Sequence, residues 1–562
     1  MAYDLLIKDA RVVDGSGMPA YTADVGVRDG RIAGIGRIQE TAKRTIQADG
    51  LALAPGFIDQ HTHMDAHLLW DPVALPLPEH GVTTLVTGNC GLSLMPARPG
   101  HESALIGNFV RVEAIPRSIL ETVDWRWRST ADYLSVLDER LGVNVACIVG
   151  HNAIRQHVMG DDATEREATP EEIGRMREVM RGAMRDGAIG YSINRNPSHY
   201  RDDGKPLPSR VATEDELLQV AGVLSEFSAG VVQHSSMGGR RVEDIDWIAR
   251  LGAVSGRPVL WTGVTFQRDQ PDIWRRQLAY LEPHFRKGLR LFGNTNIVPF
   301  AIRISLKTTQ FFDGLPTWRA LMAGPVGERT VALARPEVRS ALRAEMDPAF
   351  AARLAGVKVL RPHLPRNQTL RGTTVEDLAR LRNAPAPLDA LLDLALEEDL
   401  ETVFLASNPI EDEMAEIARS PYTIVGQSDA GAHVQFISNF GVCTTLLGHY
   451  VRERRLLSLE EAVRQLTFKV ASVFGIRDRG LVWPGWTADL VLFNPDTVES
   501  QDVEEADDYP GGFTRVLQHA RGVHYTIVNG EVLVERGEHT GAYPGRVIRN
   551  PCAGSMEPAT AH

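Results

Sequence analysis

Apolar residues in the middle of this chain come in short continuous runs, separated by stretches whose apolar positions recur every three or four residues. The runs at 55–62, 82–88, 143–150, 187–193, 229–234, 257–264, 289–296 and 421–428 read as strands buried on both faces. Between them, EEIGRMREVMRGAMRDG (171–187) and EDELLQVAGVLSEFSAG (214–230) repeat apolar residues at helical spacing and end on glycine. Such alternation predicts parallel βα units, and eight strands are what a closed barrel requires. The expected fold is therefore α/β, a (β/α)8 TIM-type barrel over 55–479.

The two ends of the chain have a different texture. Residues 1–54 read as short strands punctuated by Asp-Gly pairs at 14–15, 29–30 and 49–50. The same pattern returns in TADLVLFNPDTV (487–498) and in VHYTIVNGEVLVERGEHTG (523–541), which turns at Asn529-Gly530. The ends, 1–54 and 480–548, are expected to form one small β-sandwich domain. Residues 297–400 are too many for a simple connection before the last barrel strand. They read as an inserted subdomain or lid, with a helical tail at TTVEDLARLRNAPAPLDALLDLALEEDL.

Size and charge narrow the classes. A chain of 562 residues can hold a barrel, a smaller domain and a deep site. It carries 60 Lys and Arg against 72 Asp and Glu, a net charge of -12 spread along the sequence, which argues against nucleic acid as a partner. The pairs Arg240-Arg241 and Arg275-Arg276 read as solvated helix surface or as local positive pockets. The four cysteines, Cys90, Cys147, Cys443 and Cys552, form no CxxC pair, so neither a disulfide scaffold nor a zinc ribbon is suggested. No signal-peptide pattern opens the chain, and no apolar run reaches the roughly 18 residues of a membrane span. The expectation is a cytoplasmic protein with no membrane partner. The oligomeric state is open, a homo-oligomer included.

Three segments carry candidate chemistry. In PGFIDQHTHMD (55–65), residues two apart at a strand end face the same way, so His61 and His63 could share a metal in the barrel mouth. Chance alone supplies roughly 0.5 such spacings in a chain with this histidine content, so context must decide. In GVTTLVTGNCG (81–91), an apolar strand ends at Cys90, whose thiolate would be a strong zinc ligand; the plain alternative is a buried filler cysteine. In IVGQSDAGAH (424–433), Asp429 could bind metal and act as general base, or merely form a turn or helix cap.

The order of these segments, from GFIDQHTHMD through GVTTLVTGNCG and SDAGAH to LSLEEAVRQLTFKVASVFGIRDRGLVWPGWTADLVLFNPDTV, resembles the amidohydrolase superfamily over about residues 3–548. Within it the chain is similar to the N-acyl-D-amino-acid deacylase (D-aminoacylase) group, whose GNCG cysteine is a metal ligand where many relatives use a carboxylated lysine. The resemblance implies a barrel flanked by a β-sandwich, and one or two zinc ions held by His61, His63, Cys90 and Asp429, with Asp429 as acid/base. His234 in GVVQHSS matches a further metal-binding histidine after the fifth strand; read alone, it is equally an ordinary polar residue. The chain departs from the group after the sixth strand, where Trp261 and Thr262 stand in place of another histidine.

Residues after barrel strands point into the mouth, so His151, Arg155, Tyr191, Ser192, Arg195 and His433 are candidate substrate contacts. An arginine could grip the carboxylate of an acylated amino acid, or pair with Asp202 or Asp203. His433 could orient substrate or cap the next helix. The expected activity is zinc-assisted hydrolysis of a small-molecule amide, an N-acyl-D-amino acid above all. The rival readings are a cyclic-amide hydrolase of the hydantoin or dihydropyrimidine type, a dipeptidase, and a metal-poor barrel that only binds partners.

Overall fold

A computed structural model describes residues 2–197, 199–235, 242–267, 270–298, 301–309, 311–407 and 412–553. Arg240 and Arg241 lie outside them. Eight parallel barrel strands follow one another along the chain: Phe57–Asp59, Val82–Thr87, Asn144–Cys147 continued by Val149–Gly150, Gly190–Asn194, Val231–Ser235, Val259–Thr262, Leu291–Asn294 and Thr423–Ile424. Each coincides with a run read from the sequence, with Asn194 and Ser235 extending their strands one residue beyond it. The ring closes where Gln60 N–H donates to Gly426 O at 3.0 Å, joining the first strand's exit to the last. Ile58, Val86, Ala146, Ile148, Ile189, Val231, Leu260, Phe292 and Ile424 form one buried cluster, and every barrel-strand residue except Thr262 is buried because both faces are covered. The fold is a TIM barrel.

The surrounding helices start and stop where the sequence directs. Pro170–Asp186 opens on Thr169, which forms a capping box with Glu172, and closes at Gly187 with φ 119°. The helix read over 214–230 is shorter, Glu214–Gly222, and tightens into a 3-10 turn at Val223–Glu226.

Strands from both chain ends share one nine-stranded sheet, in which Ala52–Pro55 pairs antiparallel with Leu490–Phe493 and parallel with Tyr3–Val12. Its buried cluster draws on both ends, from Leu5, Ile7, Val25 and Leu53 to Leu490, Leu492 and Ile527. The very end departs from expectation: Val547–Ile548 pairs with Asn144–Cys147, so these residues extend barrel sheet rather than the side sheet. Asn550 fixes that position by donating from its amide to Met184 O and Ala188 O, both at 2.6 Å.

The chain divides into two compact units, the first comprising Met1–Val298, Glu411–Ala432 and Ser438–His562, the second Pro299–Ile410 and His433–Ile437. The second has its own three-stranded antiparallel sheet, ordered Ala301–Ser305, Val403–Ser407, Lys358–Arg361. Its core stacks Phe312 on Trp318 at 4.0 Å, and buried Arg329 donates to the carbonyls of Leu306, Lys307, Leu321, Met322 and Gly324. Among the described residues no helix is long and apolar enough to cross a membrane.

Candidate metal centre

The first barrel strand delivers His61 and His63 just beyond its last residue, and backbone bonds lace them to the segment after the eighth strand. Asp429 N–H donates to His61 O at 3.0 Å, and His63 N–H to Ala430 O at 2.7 Å. The second strand delivers Cys90 in a loop held against its neighbours. Cys90 N–H donates to Gln233 Oε1 at 2.8 Å, and Ser192 Oγ accepts from Gly91 N–H at 3.0 Å. Both flanking glycines are needed. Gly88 has φ 82° and a Cβ there would stand 1.9 Å from Ile148 O; Gly91 has φ 68° and its Cβ would meet Asn194 N at 2.9 Å. Cys90 and Asp429 themselves sit at φ 53° and 58°, a region that L residues adopt at a cost and that clusters at functional sites.

These constraints bring four groups together. The ligand atoms of His61, His63 and Cys90 lie within 4.8 Å of one another, and the three residues are buried. Cys90 Sγ is 3.3 Å from His61 Nε2, and Asp429 Oδ1 is 3.4 Å from Nε2 of both histidines. Each ring turns its other nitrogen outward. Asn294 Nδ2 lies 3.4 Å from His61 Nδ1, and Glu113 Oε1 lies 3.3 Å from His63 Nδ1. A carboxylate behind a histidine, as Glu113 stands behind His63, is the arrangement that orients a metal ligand and raises its basicity.

The charges fit a cation. Burial works to raise the Cys90 thiol, yet the two imidazoles bring it down from 9.0 to about 7. Burial works to lower His63, but Glu113, Asp429 and Cys90 together raise it well above its ordinary value. For His61 burial is likewise outweighed, by Cys90 and Asp429. Sulfur and carboxylate thus draw protons onto facing imidazole nitrogens, a demand that a divalent ion satisfies in their place. Two imidazoles, a thiolate and a carboxylate are a donor set suited to zinc.

Other candidates fare differently. His234 has its Nε2 taken by the indole N–H of Trp247 at 3.0 Å; burial and the nearby Arg195 lower its pKa to about 3. The expectation that His151, Arg155, Tyr191 and Ser192 face substrate does not match their surroundings, because all four are fully buried with polar atoms engaged by protein. His151 Nε2 meets Glu216 Oε1 at 2.9 Å and its Nδ1 meets Tyr191 Oη at 2.7 Å, while Arg155 bonds Glu216 and Ala163 O. The helix His151–Met159 begins at once after the third strand and turns these side chains away, and Arg155 pairs with Glu216 rather than with Asp202 or Asp203. Ser192 instead holds the Cys90 loop. Arg195 stays accessible at 35 % side-chain exposure, with its guanidinium 5.8 Å from the Trp247 ring centre and 3.6 Å from Glu214. His433 belongs to the second unit, has φ 50°, and has a buried Nδ1 without a hydrogen-bond partner.

Sequence reading missed Glu113, Gln233, Asn294, Trp247 and Glu216. Gln233 and Asn294 lie on strands that the apolar runs locate, which is signal enough to name them. Glu113 caps the helix Glu102–Val112, and nothing local ties it to His63.

Comparison with known proteins agrees with this geometry. The model of the amidohydrolase family matches residues 44–534. A D-aminoacylase of Alcaligenes xylosoxydans xylosoxydans is 30 % identical, with 98 % of each chain covered, and an N-acyl-D-aspartate deacylase of the same organism is 29 % identical, with 97 % of this chain and 95 % of the relative covered. A D-aminoacylase structure described for its binuclear metal centre superposes with a TM-score of 0.67 at 28 % identity, covering 98 % of this chain and all of that one. An N-acyl-D-glutamate deacylase from Bordetella bronchiseptica, complexed with zinc and a phosphonate inhibitor, gives 0.68 at 25 % identity over the same shares. With a metal-fitting cluster at the strand ends and a family match over most of its length, the chain belongs to the amidohydrolase family.

Proposed function

We propose that this protein hydrolyses the amide bond of N-acyl-amino acids, with N-acyl-D-amino acids as the substrate class, at a metal centre held by His61, His63, Cys90 and Asp429. The observation that carries this reading is the convergence of the two imidazoles and the thiolate to within 4.8 Å. The names of the relatives, deacylases of D-amino-acid derivatives, supply the substrate class. A bound divalent ion supplies positive charge that polarises an amide carbonyl and makes water easier to deprotonate.

The protein groups divide the remaining work. Asp429 is 23 % exposed at its side chain, whereas His61 and His63 are at 1 and 2 %, so its carboxylate faces incoming water. It takes a proton from water as the carbon–oxygen bond forms, and returns it to the amine as the carbon–nitrogen bond breaks. Glu113 fixes the orientation of the His63 ring, and Gln233 and Ser192 fix the Cys90 loop. Arg195 is placed to attract the substrate carboxylate. Free thiols at all four cysteines support a reducing, cytoplasmic setting. The shared nine-stranded sheet supports reading the chain ends as a sandwich domain, and the separate compactness of the second unit supports reading 297–400 as an inserted subdomain.

The test is a turnover panel of N-acyl-D-amino acids, their L enantiomers and cyclic ureides, run on enzyme before and after chelation. Hydrolysis of N-acyl-D-amino acids that chelation removes and zinc restores is expected. Turnover confined to cyclic ureides would overturn the substrate assignment.

A further inference from the structure

We propose that this centre binds one divalent ion, on the side of His61, His63 and Cys90, and that His234 serves as a neutral hydrogen-bond donor to the substrate carboxylate instead of as a ligand. The proposal rests on the metal-dependent reading of the same site and narrows it.

The first support is the tautomer. Trp247 has only an N–H to offer, and it lies 3.0 Å from His234 Nε2, so that nitrogen accepts and the ring proton resides on Nδ1. Neither nitrogen then has a lone pair for a metal. Nδ1 is buried and lacks a hydrogen-bond partner, in a residue that is 2 % exposed. A buried donor without an acceptor is costly unless a ligand completes it.

The second support is what stands beside His234. Its registered neighbour on the sixth strand is Trp261, whose own registered neighbour on the seventh is Gly293. An indole donates but does not ligate, and glycine has no side chain, so this row of strand positions offers no second ligand. Among the described residues, the one cluster of metal-ligating groups is His61, His63 and Cys90, and His234 is not in it.

Charge supplies the third support. Arg195 acts on His234 electrostatically and lies over the Trp247 ring. A guanidinium beside an unpaired N–H repels a second dication and attracts an acceptor of negative charge, which a carboxylate oxygen is.

Chelated apo-protein titrated with cobalt(II) alone, read by its visible absorption and by metal content after gel filtration, should saturate at one equivalent per chain. His234→Ala should keep that equivalent and its affinity, while raising KM for an N-acyl-amino acid about tenfold with a smaller change in kcat, the loss expected for one hydrogen bond to a charged group. His234→Asn, which retains an N–H donor, should recover part of the KM, and circular dichroism of both variants guards against misfolding. Saturation at two equivalents, or loss of the bound ion in a folded His234 variant, would overturn the proposal. Failure of wild-type protein to bind any cobalt would instead sink the underlying reading of the site.

Discussion

Cys90 Sγ lies 3.3 Å from Nε2 of His61, although 29 residues separate them. The contact exists because two adjacent parallel strands, Phe57–Asp59 and Val82–Thr87, end at the same rim and the Cys90 loop is fastened there by Ser192 and Gln233.

In the proposed mechanism Asp429 handles the proton. Asp429→Asn keeps the shape and the backbone bond to His61 but removes the basic oxygen. Turnover should fall by about 10²–10⁴-fold, the usual worth of general acid–base catalysis, with an unchanged circular dichroism spectrum. Near-normal kcat in that variant would remove Asp429 from the reaction.

Glu113 acts through His63. Glu113→Gln keeps the volume and removes the charge, so metal affinity measured by competition with a chelator should drop about 10–100-fold. An unchanged affinity would reduce Glu113 to a buried carboxylate with no bearing on the ion.

Glu216 serves stability rather than catalysis. It neutralises Arg155 and bonds His151, all three fully buried at their side chains. Glu216→Ala leaves a buried guanidinium without its partner and should cost about 3–5 kcal/mol in denaturant unfolding. A loss under 1 kcal/mol, roughly a surface-pair value, would show that the network is not a stability element.

Lys469 gives the protein a pH-dependent weakness. Its ammonium is largely buried, donating to Ser420 O at 2.9 Å and Gln465 Oε1 at 3.1 Å, and burial lowers its pKa from 10.5 to about 7. Below pH 7 folded and unfolded chains both hold the proton and the folded state bears the full penalty, about 4–5 kcal/mol. Between pH 7 and 10.5 the unfolded chain still holds the proton while the folded one sheds it, so the penalty fades as pH rises. Lys469→Met should therefore stabilise most near pH 6 and progressively less toward pH 9. A stability difference independent of pH would contradict this.

What the sequence made legible follows from how strands and ligands are encoded. Barrel strands are covered on both faces, so runs such as GVTTLVT stand out, and a strand-end position is enough to place His61, His63 and Cys90 on one rim. The same rule misled for His151 and Arg155, because a helix starting at His151 carries them off the rim into a network with Glu216. Glu113 and Trp247 were illegible for another reason: each meets its histidine through tertiary packing of a helix or its cap, and no local pattern records that. Val547–Ile548 was read with the side sheet because a short terminal strand has no signature of its partner.

Zinc-edge X-ray absorption on purified, zinc-loaded enzyme tests the central claim most directly. One sulfur at about 2.3 Å with nitrogen and oxygen neighbours at about 2.0–2.2 Å is expected, and the sulfur shell should vanish in Cys90→Ser. A zinc environment of nitrogen and oxygen alone in the unmodified protein would contradict the proposed site.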